Sequence, residues 1–312
     1  MNVNKIFWGK GKENKEEIPR IIWMYWEGQK SLLVERCIAK VYDVLPEYQI
    51  NILDNKSIKK FLPNIIEKNQ HLPIANYSDV IRLDLLRTYG GIWMDASILL
   101  TENLDWVYKL KNQYHTDVIG FYAEFITTNN ERPILETYFL AAPKGNEFIT
   151  DWYNEFVSCY KSIHLPPPYN YYKDIKNDID KIQGMKGEMV DYLLAYLSAM
   201  KIMIENDNYR ILMLNASESA HYYTFNLWVK YYELWNIFLF NKSKDAFYPK
   251  PIIKFRASHR DLLDHMLYRG KETKQSLLYR LSPDKNYYKN KFLGKMNNIK
   301  FVIKKFLTKL KK

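Results

Sequence analysis

Apolar strand-like runs alternate with amphipathic helical patterns through the first hundred residues of this 312-residue chain, and no other feature limits the fold as strongly. A strand, helix, strand order needs a crossover connection, which favours a parallel sheet with helices on its faces. The pattern therefore predicts the α/β class. Predicted strands cover residues 18–28, 48–54, 92–95, 117–124 and 137–143, predicted helices cover 31–46, 55–69, 75–91, 146–163 and 186–204, and the pattern beyond is mainly helical.

The composition is that of an ordinary folded protein, with 47% hydrophobic and 26% charged residues. The two cysteines, Cys37 and Cys159, are too few for a disulfide framework and predict a reducing compartment. The N-terminal residues lack the apolar run of a signal peptide, and no stretch approaches the ~20 apolar residues of a membrane span. The sequence contains no P-loop, no G-x-G-x-x-G motif and no Cys/His metal spacing, so it gives no support to those three classes of site.

Most of the net charge of +11 lies at the end of the chain, because residues 285–312 contain ten lysines and no acidic residue. We expect one domain over residues 1–284 and a basic tail over 285–312. Apolar residues recur in the tail at helical spacing and lysines flank them; they are Ile299, Val302, Ile303, Phe306 and Leu310. A basic amphipathic helix suits an anionic membrane surface, whereas nucleic acid is the alternative partner for a lysine arm. The apolar stripe favours the membrane, so we expect no nucleic-acid partner.

Three predicted strands end in residues that suit a nucleotide site. Trp26 follows the first strand, Asp54 ends the second, and Asp95 ends a buried run that follows Gly90 and Gly91. Ligands of open α/β sheets bind at the carboxyl ends of the strands. An aromatic ring, a polar anchor and a carboxylate could hold a base, a ribose and a cation on a diphosphate. Asp95 could instead be a turn or cap residue.

The helix before Asp95 is apolar almost all round, yet it carries two Asp–Arg pairs three residues apart. The pairs are Asp79 with Arg82 and Asp84 with Arg87. Charges on a buried helix are costly unless they are paired or used. Pairs at this spacing also commonly stabilise helices, so a purely structural role is the alternative, and it is favoured for the second pair.

These segments resemble the capsular-polysaccharide-synthesis glycosyltransferases. The resemblance rests on "IPRIIWMYWEG", "YSDVIRLDLLRTYGG" and "WMDAS", covers about residues 18–145, and continues more loosely to about residue 260. The family is related to the DXD sugar-binding transferases and to the catalytic domains of large clostridial toxins. Within it, the chain is similar to the α-galactosyltransferases of pneumococcal capsule assembly. The resemblance implies a GT-A fold, with a Rossmann-like mixed sheet, helices on both faces and a helical C-terminal part.

The family's motif implies roles for particular residues. Trp26 matches the aromatic residue that stacks on uracil, Asp79 and Arg82 match the pair that grips the donor hexose and its phosphate, and Asp95 matches the first acid of D-x-D. Ser97 stands where the second acid is usual, and its hydroxyl is a weaker ligand than a carboxylate. The predicted donor-binding residues are Tyr25, Trp26, Asp54, Asp79, Arg82, Asp95, Ser97, Lys254 and Arg260; the predicted ligands of Mn²⁺ or Mg²⁺ are Asp95, Ser97 and His259; the predicted catalytic residues are Asp79, Arg82, Asp95 and Asp191.

The later candidates each have a plain alternative. The segment "IIKFRASHR" places Lys254, Arg256, His259 and Arg260 within nine residues and resembles a basic loop that closes over the diphosphate, but it could also be a solvated loop. Glu136 and Asp191 stand beside apolar runs and could bind a sugar hydroxyl, or could be cap or surface residues.

The resemblance implies an enzyme that moves a hexose from a UDP-sugar to a lipid-linked saccharide, with retention of configuration, in capsule or surface polysaccharide synthesis. We expect it in the bacterial cytoplasm, attached peripherally to the inner face of the cell membrane. A membrane-docked, non-catalytic scaffold with the same fold is the alternative, and the loss of the second acid would favour it.

Overall fold

The computed structural model describes residues 1–12, 15–70, 72–127, 130–162, 193–227, 231–240 and 249–310. The chain divides into two compact units. Unit 1 consists of Met1–Glu27, Glu47–Asp95 and Leu104–Glu218, and unit 2 consists of Gly28–Pro46, Ala96–Asn103 and Ser219–Lys312. The division into a domain over 1–284 and a tail over 285–312 stays a prediction, because compactness alone does not show which segments fold independently.

A mixed sheet forms the centre of unit 1. In the described part of the chain it has seven strands: β1 (Lys5–Trp8), β2 (Ile21–Tyr25), β3 (Gln49–Leu53), β4 (Gly91–Met94), β6 (Val118–Tyr122), β7 (Phe139–Ala142) and β8 (Ile211–Asn215). Their order is β1-β8-β6-β7-β4-β2-β3. Strand β2 is parallel to β3 and β4, and β6 is parallel to β8, whereas β7 and β1 run antiparallel to their neighbours. The predicted α/β class and mixed sheet are confirmed.

Helices cover both faces of this sheet. They are α2 (Ile74–Tyr89), α3 (Asp105–Tyr114), α4 (Glu147–Ser162) and α5 (Leu194–Glu205). Helices α2, α4 and α5 share one core with Trp23 and Trp93 of the sheet. On the other face, Trp106 of α3 stacks on Phe139 with ring centroids 5.5 Å apart. Both faces of the central strands are therefore buried from solvent, which explains their continuous apolar runs.

The glycine pair between α2 and β4 is required by the backbone. Gly90 and Gly91 have φ angles of 67° and 101°, which side chains other than glycine rarely adopt. A Cβ atom on Gly90 would lie 2.5 Å from the backbone nitrogen of Lys144, and one on Gly91 would lie 2.6 Å from the carbonyl oxygen of Ile21. The pair lets the chain reverse from α2 into β4 in close contact with its neighbours, and so fixes where Asp95 emerges.

Unit 2 is built around a second apolar core. Its elements are α1 (Leu32–Val44), β5 (Ile98–Leu100), α6 (Tyr222–Leu227), α7 (Tyr231–Trp235), a π-helical turn (Asn236–Phe240), β9 (Ile252–Lys254), α8 (Ala257–Tyr268), α9 (Leu277–Leu281) and α10 (Tyr287–Leu310). Strand β5 pairs with β9 in antiparallel fashion. A buried ion pair adds to the core, because Arg36 on α1 meets Glu272 at 2.8 Å. The helical C-terminal part is confirmed.

One local prediction is wrong. The predicted helix over 55–69 is only a 3₁₀ turn at Ile58–Lys60, because the Asp54 side chain caps a turn and Pro63 prevents a longer helix. The mainly helical region beyond residue 205 also contains strands β8 and β9, which were not predicted because apolar runs of this length fit either structure. The predicted helices over 31–46, 75–91 and 146–163 are confirmed with small shifts at their ends.

Among the described residues, no helix combines the length and the apolar character that crossing a bilayer requires.

Candidate functional site

The carboxyl ends of β2, β3 and β4 bring the predicted residues of unit 1 together. Because β2 is parallel to both β3 and β4, these strands end at the same edge of the sheet. Trp26 follows β2, Asp54 follows β3 and Asp95 follows β4. The backbone N–H of Trp26 also donates to the carbonyl of Leu53, which joins the ends of β2 and β3. The predicted placement of these three residues at one edge is therefore confirmed.

A chain of ion pairs, from Asp79 through Arg82 to Asp95, connects α2 to this edge. Arg82 donates from Nη1 to Asp79 Oδ1, and from Nη2 to Asp95 Oδ1 at 3.0 Å. Arg82 and Asp79 are buried, whereas the side chain of Asp95 is 27% exposed. Asp79 thus holds the guanidinium from inside the protein, and Arg82 presents its charge beside a carboxylate that solvent reaches.

Trp93 contacts two of these three residues, Arg82 and Asp95. The Arg82 guanidinium lies over the indole ring, 4.8 Å from its centroid, and the indole N–H donates to Asp95 Oδ1 at 3.1 Å. Sequence reasoning treated Trp93 only as a residue of a buried strand. Its position two residues before Asp95 was the available signal, because alternate residues of a strand lie on one face.

One donor of Arg82 is left over. Its Nε atom is buried and has no hydrogen-bond partner among the described residues. A buried guanidinium N–H without a partner is costly, but a ligand could reach this atom only if neighbouring groups moved.

The Asp79 carboxyl titrates above its ordinary range. Burial raises the pKa of Asp79 to about 6, although the neighbouring Arg82 charge and a hydrogen bond from Thr137 both favour the ionised form. At neutral pH the carboxylate is therefore still mostly ionised, and Asp79 with Arg82 acts as an ion pair.

The second Asp–Arg pair of α2 is part of the helix packing. Arg87 reaches Asp84 at 2.7 Å, and its guanidinium lies over the ring of Tyr153 on α4, 4.1 Å from the centroid. The Tyr153 hydroxyl also contacts Asp84 at 3.5 Å. These contacts join α2 to α4 and favour the structural interpretation of this pair.

Tyr25 and Asp54 have local partners at the edge. The Tyr25 hydroxyl donates to Asn55 Oδ1 at 2.7 Å and contacts Glu27 at 3.4 Å, and burial raises the pKa of Tyr25. Asp54 Oδ1 accepts from the backbone N–H groups of Lys56 and Ser57 at 3.0 and 2.7 Å, and these bonds lower the pKa of Asp54. Both residues shape the loops at the edge, and their predicted contacts with a donor stay predictions.

In unit 2, strand pairing brings Ser97 and Lys254 together. Ser97 precedes β5 and Lys254 ends β9, and the Lys254 ammonium donates to Ser97 Oγ at 2.8 Å. The segment then enters α8, whose first turn contains His259 and Arg260 and whose N-cap is Arg256. His259 is buried, and burial together with the Arg256 charge lowers the pKa of His259 to about 4. The imidazole is therefore neutral at physiological pH.

The two remaining acids have different outcomes. Glu136 is buried and accepts a hydrogen bond from the Tyr196 hydroxyl at 2.9 Å. It lies just before β7, which is antiparallel to β4 and so begins at the edge where β4 ends. Asp191 lies outside the described residues.

The residues present fit a divalent cation only in part. Mg²⁺ and Mn²⁺ favour several oxygen ligands, and Asp95 offers a partly exposed carboxylate. The Ser97 oxygen already accepts from an ammonium group, which disfavours a second cation there. In the part of the chain that the structure describes, no cluster of three or more His, Cys, Asp or Glu side chains could hold a metal ion. Of the three predicted ligands, only Asp95 offers a carboxylate, and its role as a metal ligand stays a prediction.

Comparison with known proteins matches residues 5–177 to a family described as "Capsular polysaccharide synthesis protein". The O-glycosyltransferase braB of Annulohypoxylon truncatum is 25% identical over 213 residues, which cover 57% of this chain and 49% of that protein. The glycosyltransferase afumC of Aspergillus fumigatus (strain CBS 144.89 / FGSC A1163 / CEA10) is 25% identical over 158 residues, which cover 44% of this chain and 39% of that protein. The chain therefore spans less than half the length of either relative. The apo structure of mouse xyloside xylosyltransferase 1 is a distant likeness, with a TM-score of 0.41 at 8% identity over 78% of this chain and 99% of that chain.

Proposed function

Because the chain belongs to the capsular polysaccharide synthesis family, we propose that it is a retaining GT-A glycosyltransferase that moves a hexose from a UDP-sugar to a lipid-linked saccharide. Two relatives are named as glycosyltransferases, which supports sugar transfer. The chain spans only part of these relatives, so the activity, the donor and the acceptor all belong to the proposal. The proposed hexose is galactose or glucose, and the proposed product is a capsular or other surface polysaccharide.

The observation that carries the proposal is the chain from Asp79 through Arg82 to Asp95. It delivers a buried, ion-paired guanidinium to the carboxyl edge of parallel strands, where ligands of such sheets bind. An arginine held in this way suits the phosphate and hydroxyl oxygens of a nucleotide-sugar, because its donors are already oriented.

The chemistry that this arrangement supports is departure of the donor diphosphate. As the bond from the anomeric carbon to the diphosphate oxygen breaks, negative charge grows on the leaving group. We expect Arg82 to stabilise that charge, and the ion pair with Asp79 would keep the guanidinium in place. Fixed charges that need no rearrangement during the reaction lower barriers most effectively. In unit 2, Lys254 and Arg260 are proposed as further groups that bind the phosphates.

Asp95 is the residue proposed to hold a Mn²⁺ or Mg²⁺ ion that arrives with the nucleotide. When bound, such a cation would neutralise charge on the diphosphate. Ser97 and His259 are the other two predicted ligands. The ammonium of Lys254 beside Ser97 and the Arg256 charge near His259 both disfavour binding of a cation there.

Trp26 supplies a test of the base site. If it stacks on uracil, Trp26→Ala should weaken UDP binding by about 1–3 kcal/mol, because base–aromatic stacking contributes that much. Calorimetry with UDP and with ribose 5-phosphate would measure the effect, and only UDP binding should weaken. Unchanged UDP affinity with a lower melting temperature would place Trp26 among the core residues.

The surface of α10 supports attachment to a membrane. Tyr288, Phe292, Met296 and Ile299 are exposed by 73, 64, 41 and 54%, and their spacing puts them on one side of the helix. Gly294 lies on another side and packs tightly against Gly270, since a Cβ atom on Gly294 would lie 2.3 Å from the Gly270 nitrogen. An exposed apolar stripe flanked by lysines suits an anionic bilayer surface. A lipid-linked acceptor would explain why the protein binds there.

A donor screen tests the proposed function directly. The full chain would be incubated with UDP-galactose, UDP-glucose and other nucleotide-sugars, with Mn²⁺, Mg²⁺ or a chelator, and the release of UDP would be measured. Slow release from one UDP-hexose is the expected result, and addition of a lipid-linked saccharide should accelerate it. If nucleotide binds but no donor is ever cleaved, the scaffold alternative is favoured.

A further inference from the structure

One indole ring in unit 1 makes two separate contacts with the proposed donor site. The Trp93 N–H donates to Asp95 Oδ1 at 3.1 Å, and the face of the same ring lies 4.8 Å from the Arg82 guanidinium carbon. Trp93 itself is only 1% exposed, so it cannot touch a ligand directly. Whatever it contributes to the site must act through Asp95 and Arg82.

These contacts restrict how both charged groups can turn. Asp95 Oδ1 accepts from two directions, from Trp93 Nε1 at 3.1 Å and from Arg82 Nη2 at 3.0 Å, which opposes rotation of the carboxylate. The guanidinium lies against the ring, and Asp79 holds one of its edges. Trp93 is buried, so its indole N–H reaches Asp95 from the protein interior, on the side away from solvent.

We propose that Trp93 is a positioning residue of the donor site, which holds the Asp95 carboxylate and the Arg82 guanidinium in the arrangement that meets the donor diphosphate. This inference rests on the proposed glycosyltransferase function. It assigns two tasks to one side chain: the N–H group orients the carboxylate, and the ring face supports the guanidinium.

The neighbouring strand provides a matched control. Trp23 lies directly opposite Trp93 in the β2–β4 pairing and is also 1% exposed. Its indole N–H donates to a backbone oxygen, that of Gly90, at 2.8 Å. Trp23→Phe and Trp93→Phe therefore remove the same kind of buried hydrogen bond from adjacent strands, but only the second removes it from a proposed donor-site residue.

The test compares UDP-hexose hydrolysis by these two variants at a temperature where both are folded. We expect Trp93→Phe to lower kcat/KM by roughly 10–100-fold, the effect of losing a hydrogen bond to a charged group. The kcat/KM of Trp23→Phe should stay within about twofold of the wild-type value. Its melting temperature should nevertheless fall by about as much as that of Trp93→Phe, because both variants lose one buried hydrogen bond. Trp93→Leu also removes the ring face and should lower kcat/KM further. Equal losses in Trp93→Phe and Trp23→Phe, or none in either, would overturn the inference.

A second measurement needs neither turnover nor substitution of the tryptophan. In the full chain with ¹⁵N-labelled indole groups, Asp95→Asn should shift the assigned Trp93 indole resonance and leave that of Trp23 in place. An unmoved Trp93 resonance would overturn the positioning role even if Trp93→Phe fails to fold. A wild-type chain that releases UDP from no donor would instead refute the proposed function, and the two failures are thereby distinguished.

Discussion

Replacement of Asp95 by asparagine is expected to lower the rate of UDP-hexose hydrolysis by about 10²–10³-fold, the scale of losing one preorganised electrostatic contact. Asparagine keeps the shape of the side chain and an oxygen that can accept from Arg82 and Trp93. Only the negative charge disappears, and with it the proposed hold on a cation. Asp95 is partly exposed, and Arg82 keeps its ion pair with Asp79 in the variant. The free energy of unfolding should therefore change by about 1 kcal/mol or less. Hydrolysis and thermal unfolding would be measured on the same samples.

The second acid–arginine pair of α2 supplies the control. Asp84→Asn also removes one charge from a pair at i, i+3 spacing, but this pair packs α2 against α4. We expect Asp84→Asn to lose about 1–3 kcal/mol of stability and to hydrolyse the donor at close to the wild-type rate. If Asp95→Asn retains full activity, or if both variants lose activity only in proportion to stability, Asp95 has no special place in the reaction.

Removal of residues 299–312 is expected to abolish binding to anionic liposomes while donor hydrolysis in solution continues. The cut removes six lysines and the distal part of the apolar stripe. It preserves Tyr287, whose hydroxyl donates to the Glu272 carbonyl, and Asn298, whose amide donates to the Arg269 carbonyl. Each lysine near an anionic surface contributes about 1 kcal/mol, so affinity should fall by at least about 100-fold. Sedimentation with phosphatidylserine vesicles over a range of salt concentrations would measure it.

Substitutions within α10 separate the two sources of binding. Phe292→Ser should reduce the part of vesicle binding that survives high salt, because the apolar stripe inserts while charge attraction is screened. Tyr42→Ser, at an exposed tyrosine on α1, is the matched control and should leave binding unchanged. A full-length chain that ignores anionic vesicles at low salt but binds nucleic acid would refute membrane attachment. Loss of donor hydrolysis on truncation would place the removed residues within the catalytic fold.

The local sequence pattern predicted most helices and strands of unit 1 correctly. It failed where contacts between distant segments decide the structure. The apolar stripe of α2 and the buried run of β4 indicated those elements directly. Strand β8 is equally apolar, with all five residues buried, but a short run of this kind cannot be distinguished from a helix by periodicity. Strand β1 pairs with it from the other end of the chain, where Lys5 lies opposite Leu214. Such a pairing leaves no trace in the local sequence.

The candidate site also contains contacts that the sequence suggested and contacts that it could not suggest. The family resemblance implied a shared site for Asp79, Arg82 and Asp95, and a helix, a glycine turn and a short strand bring these residues together. The Lys254 contact with Ser97 joins residues 157 positions apart, and only the pairing of β5 with β9 creates it. That contact changes the chemistry expected of Ser97 from a metal ligand towards an acceptor for an ammonium group.

The buried ion pair of unit 2 has a consequence for synthesis of the chain. Arg36 on α1 meets Glu272, 236 residues further along, and Leu33 and Cys37 share their core with Leu263. At about 5–20 residues per second, translation needs roughly 10–50 s to cover that interval. For most of this time the segments that complete the core of α1 do not yet exist. The apolar side of α1 therefore stays without its native partners until most of the protein has been made.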